Sequence, residues 1–180
     1  MIRKILHSGD PKLREISKRV IKIDSKAVEL IRDLKETLAV QKDPEGVGLA
    51  APQIGKNLRV FVANYKELNR VVINPEILET KMEKVKTKKG SNKGSKQEIL
   101  EGCLSLPNYY GPLKRINLVK IKYLNEEGKE IVEEFKNFDA QIILHEIDHL
   151  NGILFLDRLL EQKKPLYKLE KDKWEEVELI

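Results

Sequence analysis

The sequence has little cysteine, few aromatic residues and no long hydrophobic run, and each shortage excludes a class of protein. Its 180 residues include one cysteine, so no intramolecular disulfide can form and a reducing compartment is expected. No apolar run approaches the roughly 20 residues that cross a bilayer, and the first residues lack the apolar region of a secretory signal. A composition of 41% hydrophobic and 35% charged residues is typical of one soluble domain.

Two lysine-rich runs supply much of the formal net charge of +5. Residues 81–98 hold seven lysines against two glutamates, and residues 163–173 hold five lysines. We expect the first run to be a loop within the domain and the second to belong to a C-terminal tail over residues 161–180. RNA binding is the functional alternative, but no aromatic stacking surface accompanies either run. The sequence therefore predicts no specific nucleic-acid recognition.

Capping residues and apolar spacing predict three helices. Asp10-Pro11 is a start signal for a short helix. Asp24 can cap a longer one, whose apolar residues recur every three or four positions and which should end near Asp43-Pro44. A third helix is expected over residues 138–150, ended by Asn151-Gly152.

Runs of β-branched and alternating residues predict the strands. Asn74-Pro75 is expected to close one strand, and residues 125–128 are expected to form a hairpin turn. The predicted strands are residues 58–62, 71–73, 116–124, 130–135 and 174–180.

The strongest chemical signal is the pentapeptide His-Glu-Ile-Asp-His at residues 145–149. Histidines four positions apart lie on one helical face, so His145 and His149 can converge on one metal ion. Glu146 is placed to reach a water on that metal and to move its proton. Together with the predicted helices and strands, this segment predicts an α+β fold with mixed or antiparallel β-sheets around a central metal-binding helix. The third histidine, His7, is expected to be incidental.

A catalytic metal of this kind takes three protein ligands and keeps one position open. Cys103 is the candidate third ligand, because no further histidine follows His149. A lone cysteine is more often a small buried hydrophobe, but the neighbouring histidine pair favours ligation. One cysteine also excludes a four-cysteine structural site.

The segment from Gly46 to Gly55 contains two closely spaced glycines and Gln53. It superficially matches a dinucleotide-binding fingerprint, but it follows a polar stretch and Pro52 interrupts any following helix. We expect a loop whose glycines bring backbone N–H groups close to a ligand, with the Gln53 amide available to a developing oxyanion. A purely structural turn is the alternative.

These three segments together resemble the motifs of the peptide deformylase family, G-x-G-[L/I]-A-A-x-Q, E-G-C-L-S and H-E-x-D-H, in that order and without a substitution. The resemblance extends from about Ile2 to Leu156 and implies a catalytic domain over residues 1–160. Peptide deformylases remove the formyl group from the N-terminal formyl-methionine of new bacterial and organellar proteins and release formate.

The resemblance implies a metal centre formed by Cys103, His145 and His149. They would bind one divalent ion, expected to be Fe(II), with zinc, nickel or cobalt as replacements. Metal-bound hydroxide would attack the formyl carbon, with Glu146 as the general acid and base. Gln53 and the Leu104 backbone N–H would stabilise the oxyanion.

Substrate contacts are implied on both sides of that centre. The backbone at Val47 and Gly48 would pair with the extended peptide, as an added strand does. The methionine side chain needs an apolar pocket, for which Val47, Phe138 and Ile142 are candidate walls and plain core packing is the alternative. Residues 108–111 stand where some family members carry an arginine near the substrate entrance.

Hydrogen-bonded support for the ligands is expected from Glu101, Asp148 and Arg115, with ordinary salt bridges as the alternative for the last two.

The implied partners are N-formylmethionyl nascent peptides and, transiently, the ribosome, in the bacterial cytoplasm. Two other functions fit the sequence less well. The first is a zinc endopeptidase of the HExxH type, which the cysteine and Gln53 segments argue against. The second is a basic RNA-binding module with a structural metal, which would need a fourth ligand.

Overall fold

A computed structural model describes residues 1–42, 45–83 and 100–178. It has two antiparallel sheets around one central helix, which confirms the predicted α+β class. Residues 43 and 44 and nearly all of the lysine-rich run 81–98 lie outside the described residues. In the described part of the chain, no helix has the length and apolar character needed to cross a membrane.

The elements follow one another along the chain in an order that separates the two sheets. They are a 3-10 helix (Pro11–Arg14), α1 (Ser25–Ala39), β1 (Gly48–Ala50), a second 3-10 helix (Ala51–Ile54), β2 (Val60–Tyr65), β3 (Leu68–Lys81), β4 (Glu101–Cys103), β5 (Leu106–Gly111), β6 (Leu118–Leu124), β7 (Glu130–Lys136), α2 (Asn137–Leu150), α3 (Phe155–Glu161), β8 (Leu166–Glu170) and β9 (Lys173–Val177).

The helix starts follow the predicted caps. The Asp24 carboxylate accepts hydrogen bonds from the backbone N–H groups of Lys26 and Ala27, each at 3.0 Å, which satisfies N–H groups that the first turn leaves unpaired. Helix α1 ends at Ala39, earlier than predicted. The Gln41 side chain donates to the Thr37 carbonyl at 3.0 Å. This hydrogen bond satisfies one of the last carbonyl groups of the helix, several residues before Pro44.

The larger sheet has the strand order β1-β2-β3-β6-β7, and the smaller has β4-β5-β8-β9. β1 and β4 are therefore edge strands of different sheets. The predicted turn at residues 125–128 joins β6 to β7, with the Gly128 N–H donating to the Asn125 carbonyl at 3.0 Å. β9 confirms a strand near the C-terminus.

The predicted end of a strand at Asn74-Pro75 is wrong, because β3 continues to Lys81 with a register shift between Ile73 and Glu76. Asn74 adopts a positive φ of 53°, which asparagine tolerates better than most residues. Its side chain accepts from the Val20 N–H and donates to the Val20 carbonyl, both at 2.8 Å. These bonds hold the irregular segment in the sheet.

Helix α2 lies in the main core, where its apolar residues Ile143, Ile147 and Leu150 pack with the larger sheet. Helix α1 covers a second cluster formed with β1, β2 and β3. A third, smaller cluster contains Cys103, Phe155 and residues of β8 and β9. Because α2 is packed on its apolar face, its polar residues face the space between the two sheets.

Candidate metal centre and active site

The cluster of Cys103, His145 and His149 joins strand β4 to helix α2. One potential ligand atom from each residue lies within 4.8 Å of the others, and all three residues are buried. The Cys103 Sγ is 3.2 Å from the His149 Nε2, and the two imidazole rings have centroids 4.9 Å apart. The structure therefore brings the three predicted ligands together.

The chemistry of this donor set fits one divalent transition-metal ion. A thiolate and two imidazoles are ligands that such ions accept, and three protein ligands leave a position for water or substrate. Burial raises the pKa of the Cys103 thiol, but the positive charge of His149 and hydrogen bonds from both histidines lower it well below its usual value. The thiolate is the form that binds metal.

Glu146 follows the first histidine and is 3% exposed. Its Oε2 has no hydrogen-bond partner among the residues that the structure describes, so this oxygen is available to a ligand. Burial raises the pKa of Glu146 to about 7, although the charges of His145 and His149 act in the opposite direction. A carboxyl group with this pKa can both accept and donate a proton near neutral pH.

Gln53 is held in one orientation by its own loop. Its Oε1 accepts the Ala50 backbone N–H at 2.8 Å, so its Nε2 faces the other way. There, the Nε2 donates to the Ser105 Oγ at 3.2 Å and lies 3.7 Å from the Cys103 Sγ. The Gln53 amide is thus a fixed donor beside the metal cluster, and Leu104 lies between Cys103 and Ser105 in the turn that joins β4 to β5.

The carboxylate of Glu101 orients His145 from behind. Its Oε1 is 2.7 Å from the His145 Nδ1, and Arg115 donates to both of its oxygens at 2.6 and 2.7 Å. Burial would raise the pKa of Glu101, but the Arg115 hydrogen bonds and the His145 charge lower it to about 2. A carboxylate at Nδ1 leaves Nε2 as the ligand atom.

Asp148 extends the same network away from the cluster. It accepts from Arg115 at 2.8 Å and from the Nη2 of Arg158 at 2.7 Å. Ligand support and an ordinary salt bridge were the two predicted roles for Arg115 and Asp148. The structure combines them, because Asp148 forms a salt bridge with Arg115, and Arg115 in turn holds Glu101. Sequence reasoning missed Arg158, which lies on α3, and Gln141, which donates to Glu101 at 3.1 Å. The position of Gln141 four residues before His145 was a signal that could have found it.

One cavity contains most of the predicted site residues. It is lined by Val47, Gly48, Gln53, Cys103, Leu104, Phe138, Ile142, His145 and Glu146. His149 is 1% exposed and lies behind Cys103. The cavity is also lined by residues that sequence reasoning did not assign to the site, including Glu45, Leu100, Gly102 and Leu106, and by Asn108, Tyr109 and Tyr110 of the predicted entrance segment.

Comparisons with known proteins agree with this geometry. The family model described as polypeptide deformylase matches residues 2–165. The chain is 44% identical over 162 residues to peptide deformylase 1 of Clostridium acetobutylicum, covering 90% of this chain and 97% of the relative. It is 40% identical over 165 residues to the peptide deformylase of Pseudothermotoga lettingae, covering 91% and 86%. The crystal structure of peptide deformylase from Thermotoga maritima superposes with a TM-score of 0.75 at 37% identity, covering 88% of this chain and 97% of that one.

Proposed function

The chain belongs to the peptide deformylase family, and on this premise we propose that it removes the formyl group from the N-terminal formyl-methionine of newly synthesised proteins and releases formate. The observation that carries the proposal is the convergence of Cys103, His145 and His149 beside the carboxylate of Glu146. A metal-dependent hydrolase needs such a three-ligand centre together with a group that moves protons.

Cys103, His145 and His149 hold one divalent ion. When bound, that ion supplies positive charge that lowers the pKa of water and polarises the formyl carbonyl. The family leads us to expect Fe(II), with zinc, nickel or cobalt as replacements, because a Cys/His/His donor set does not itself select iron.

Glu146 moves the proton. Its Oε2 accepts a proton from the attacking water and then delivers it to the nitrogen of the departing methionine. Two features support this role, the absence of a hydrogen-bond partner for Oε2 within the described ranges and a pKa of about 7 that burial produces.

The Gln53 Nε2 and the Leu104 backbone N–H stabilise the negative charge that develops on the formyl oxygen. Donors contribute most to this step when they are already oriented before the charge appears. The Ala50 N–H orients the Gln53 amide, which supports its assignment. The contact of the Gln53 Nε2 with the Cys103 sulfur is long, at 3.7 Å, and a nearer anionic oxygen would replace it.

The peptide part of the substrate lies along β1. Among the strands that the structure describes, this one has a neighbour on one side only, so its other edge can accept an added strand. The Val47 carbonyl already accepts the Asn64 N–H at 2.9 Å, so the proposed pairing uses the Val47 N–H and the backbone of Gly48. Both residues line the cavity.

The methionine side chain enters the apolar part of the cavity, against Val47, Phe138 and Ile142. Phe138 is held by an edge-to-face contact with Tyr65, with ring centroids 4.8 Å apart. Val47, Phe138 and Ile142 also belong to the main core or pack against it. The same side chains therefore form the wall of the pocket and part of the core packing.

The substrate class determines the expected location. Formylated chains arise where translation begins, so we expect the enzyme in the bacterial cytoplasm, with transient contact with the ribosome that presents the substrate.

Formate release from a formyl-Met-Ala-Ser peptide tests the proposal, with protein loaded anaerobically with Fe(II). We expect turnover in the parent and a loss of about 10²- to 10⁴-fold in Glu146→Gln. Glu127→Gln, in the exposed hairpin turn, is the matched control and should keep parental activity. Absence of turnover with the metal bound, or cleavage of internal bonds in the unformylated peptide, would overturn the proposal in favour of another hydrolase.

A further inference from the structure

We propose that the hairpin β8–β9 is part of the substrate-binding apparatus, and that Trp174 sets the position of Tyr110 in the wall of the active-site cavity. The inference rests on the proposed function, since the cavity is the one assigned to the formylated peptide. The hairpin begins at Leu166, just beyond residue 165, where the match to the family model ends.

The hairpin is joined to the cavity wall by backbone pairing. β8 pairs with β5 at Tyr109 and Tyr110, opposite Lys168 and Tyr167. β9 pairs with β8 over its whole length, from Lys173 to Val177. Because Tyr109 and Tyr110 line the cavity, the hairpin extends the sheet directly behind this wall.

Besides its pairing with Tyr167 of β8, Tyr110 contacts residues of β4 and β9. Gly102 of β4 is its cross-strand partner, and a Cβ at Gly102 would lie 2.8 Å from the Tyr110 ring atoms Cδ1 and Cε1. The tyrosine ring therefore covers the glycine, which itself lines the cavity next to Cys103. Trp174 of β9 meets the same tyrosine edge to face, with ring centroids 5.5 Å apart and an angle of 73° between the planes.

The hairpin is anchored independently of Trp174. Leu166 is 4% exposed and packs, together with Val177, in the cluster that contains Cys103. Trp174 is 51% exposed, so burial of its surface is incomplete. Its removal should leave the hairpin folded while taking away the edge-to-face contact with Tyr110, which makes the effect on the substrate separable from an effect on folding.

The size of the expected effect follows from the contact. Edge-to-face aromatic pairs contribute a modest, geometry-dependent stabilisation, so Trp174→Ala should raise KM for formyl-Met-Ala-Ser about threefold to tenfold. The kcat should stay within about twofold, because Trp174 touches none of the reacting groups. Trp174→Phe retains an aromatic edge and should restore the parental KM.

The experiment compares these two variants with the parent and with Val132→Ala, which truncates a similarly exposed side chain on β7. Trp174 is the only tryptophan in the chain, so its emission reports directly on the hairpin. Saturating formyl-Met-Ala-Ser should change the emission of the Fe(II)-loaded Glu146→Gln enzyme, whose turnover is about 10²- to 10⁴-fold slower than that of the parent. The change should disappear in the Glu146→Gln enzyme that also carries Tyr110→Leu.

Two results would overturn the inference. One is a parental KM in Trp174→Ala, and the other is an emission spectrum that saturating peptide leaves unchanged. An inactive metal-loaded parent would instead contradict the proposed function, while the emission titration would still decide whether the hairpin responds to the peptide.

Discussion

The Oε1 atom of Glu146 lies against the backbone of Gly48, so closely that a methyl group on Gly48 would be 2.3 Å from that oxygen. The Cδ and Cγ atoms of the same side chain would be 2.8 and 3.0 Å away. Glu146 is 3% exposed, and its side chain would have to move for that methyl group to fit. The absence of a side chain at Gly48 is therefore what allows the carboxylate to occupy its position.

We expect Gly48→Ala to displace the Glu146 carboxylate and to lower kcat/KM for the formylated peptide by about 10²-fold, since small displacements of a catalytic group have effects of this size. Steady-state kinetics and a far-UV circular dichroism spectrum measure activity and folding together. Gly9→Ala is the control, because a Cβ at Gly9 would have no atom of residues 1–42, 45–83 or 100–178 within 4 Å. Parental kcat/KM in Gly48→Ala would show that the contact does not position Glu146.

The histidines provide a matched pair for metal binding. His149→Ala removes one of the three proposed ligands, and we expect its bound metal after dialysis to fall to a small fraction of one equivalent, with loss of formate release. His7→Ala removes an exposed histidine and should retain both. Elemental analysis of the two variants, prepared side by side, measures the difference. Equal metal content would remove His149 from the ligand set.

Two arginine–glutamate pairs differ in burial and so in expected importance. The side chains of Arg115 and Glu101 are 9% and 5% exposed. Arg115→Met removes the guanidinium group that pairs with the carboxylates of Glu101 and Asp148. We expect the free energy of unfolding to fall by about 3–5 kcal/mol and metal affinity to fall about 10- to 100-fold. Urea unfolding and metal titration measure the two effects.

The comparison variant is Arg70→Met, which removes the arginine partner of Glu133 and leaves the hydrogen bond from Tyr123. These side chains are 38% and 25% exposed, and pairs in contact with water contribute about 1 kcal/mol or less. Metal affinity should be unchanged, because this pair lies on β3 and β7. Equal losses of stability in the two arginine variants would contradict the distinction based on burial.

Glu133 also predicts a pH dependence. Burial raises its pKa, but hydrogen bonds from Arg70 and Tyr123 outweigh this and lower the pKa overall. A carboxyl group with a lowered folded-state pKa stabilises the fold above its unfolded pKa of about 4.3. That contribution is lost as the pH falls through the folded-state pKa.

We therefore expect the parent to exceed Glu133→Gln in unfolding free energy by a constant amount between about pH 7 and pH 5, and by less as the pH falls below about 4.3. Urea unfolding of both proteins at several pH values measures the difference. A difference that grows on acidification would contradict the assignment.

Local signals in the sequence predicted the features that local interactions determine. The Asp24 cap, the turn at residues 125–128 and the helix carrying residues 145–149 depend on neighbours within a few positions, and each was correctly located. The fold class followed from these elements, and the three motifs indicated the family that the comparisons show.

Features that depend on distant partners could not be found in this way. β3 continues past Asn74 because the side chain of that residue bonds Val20, 54 positions away in the sequence. Arg158 joins the network only because the chain folds so that α3 brings it to Asp148 of α2, which no local pattern indicates.

The edge strands β1 and β4 belong to sheets that share no strand, yet Gly48 of one and Gly102 of the other line the same cavity. A peptide extended between them would be an additional strand that bridges the two sheets for as long as it stays bound. Substrate would then add backbone hydrogen bonds to both sheets at once, and release of the deformylated chain would remove them. Slower amide hydrogen exchange in both edge strands at once would be the signature of that bridge.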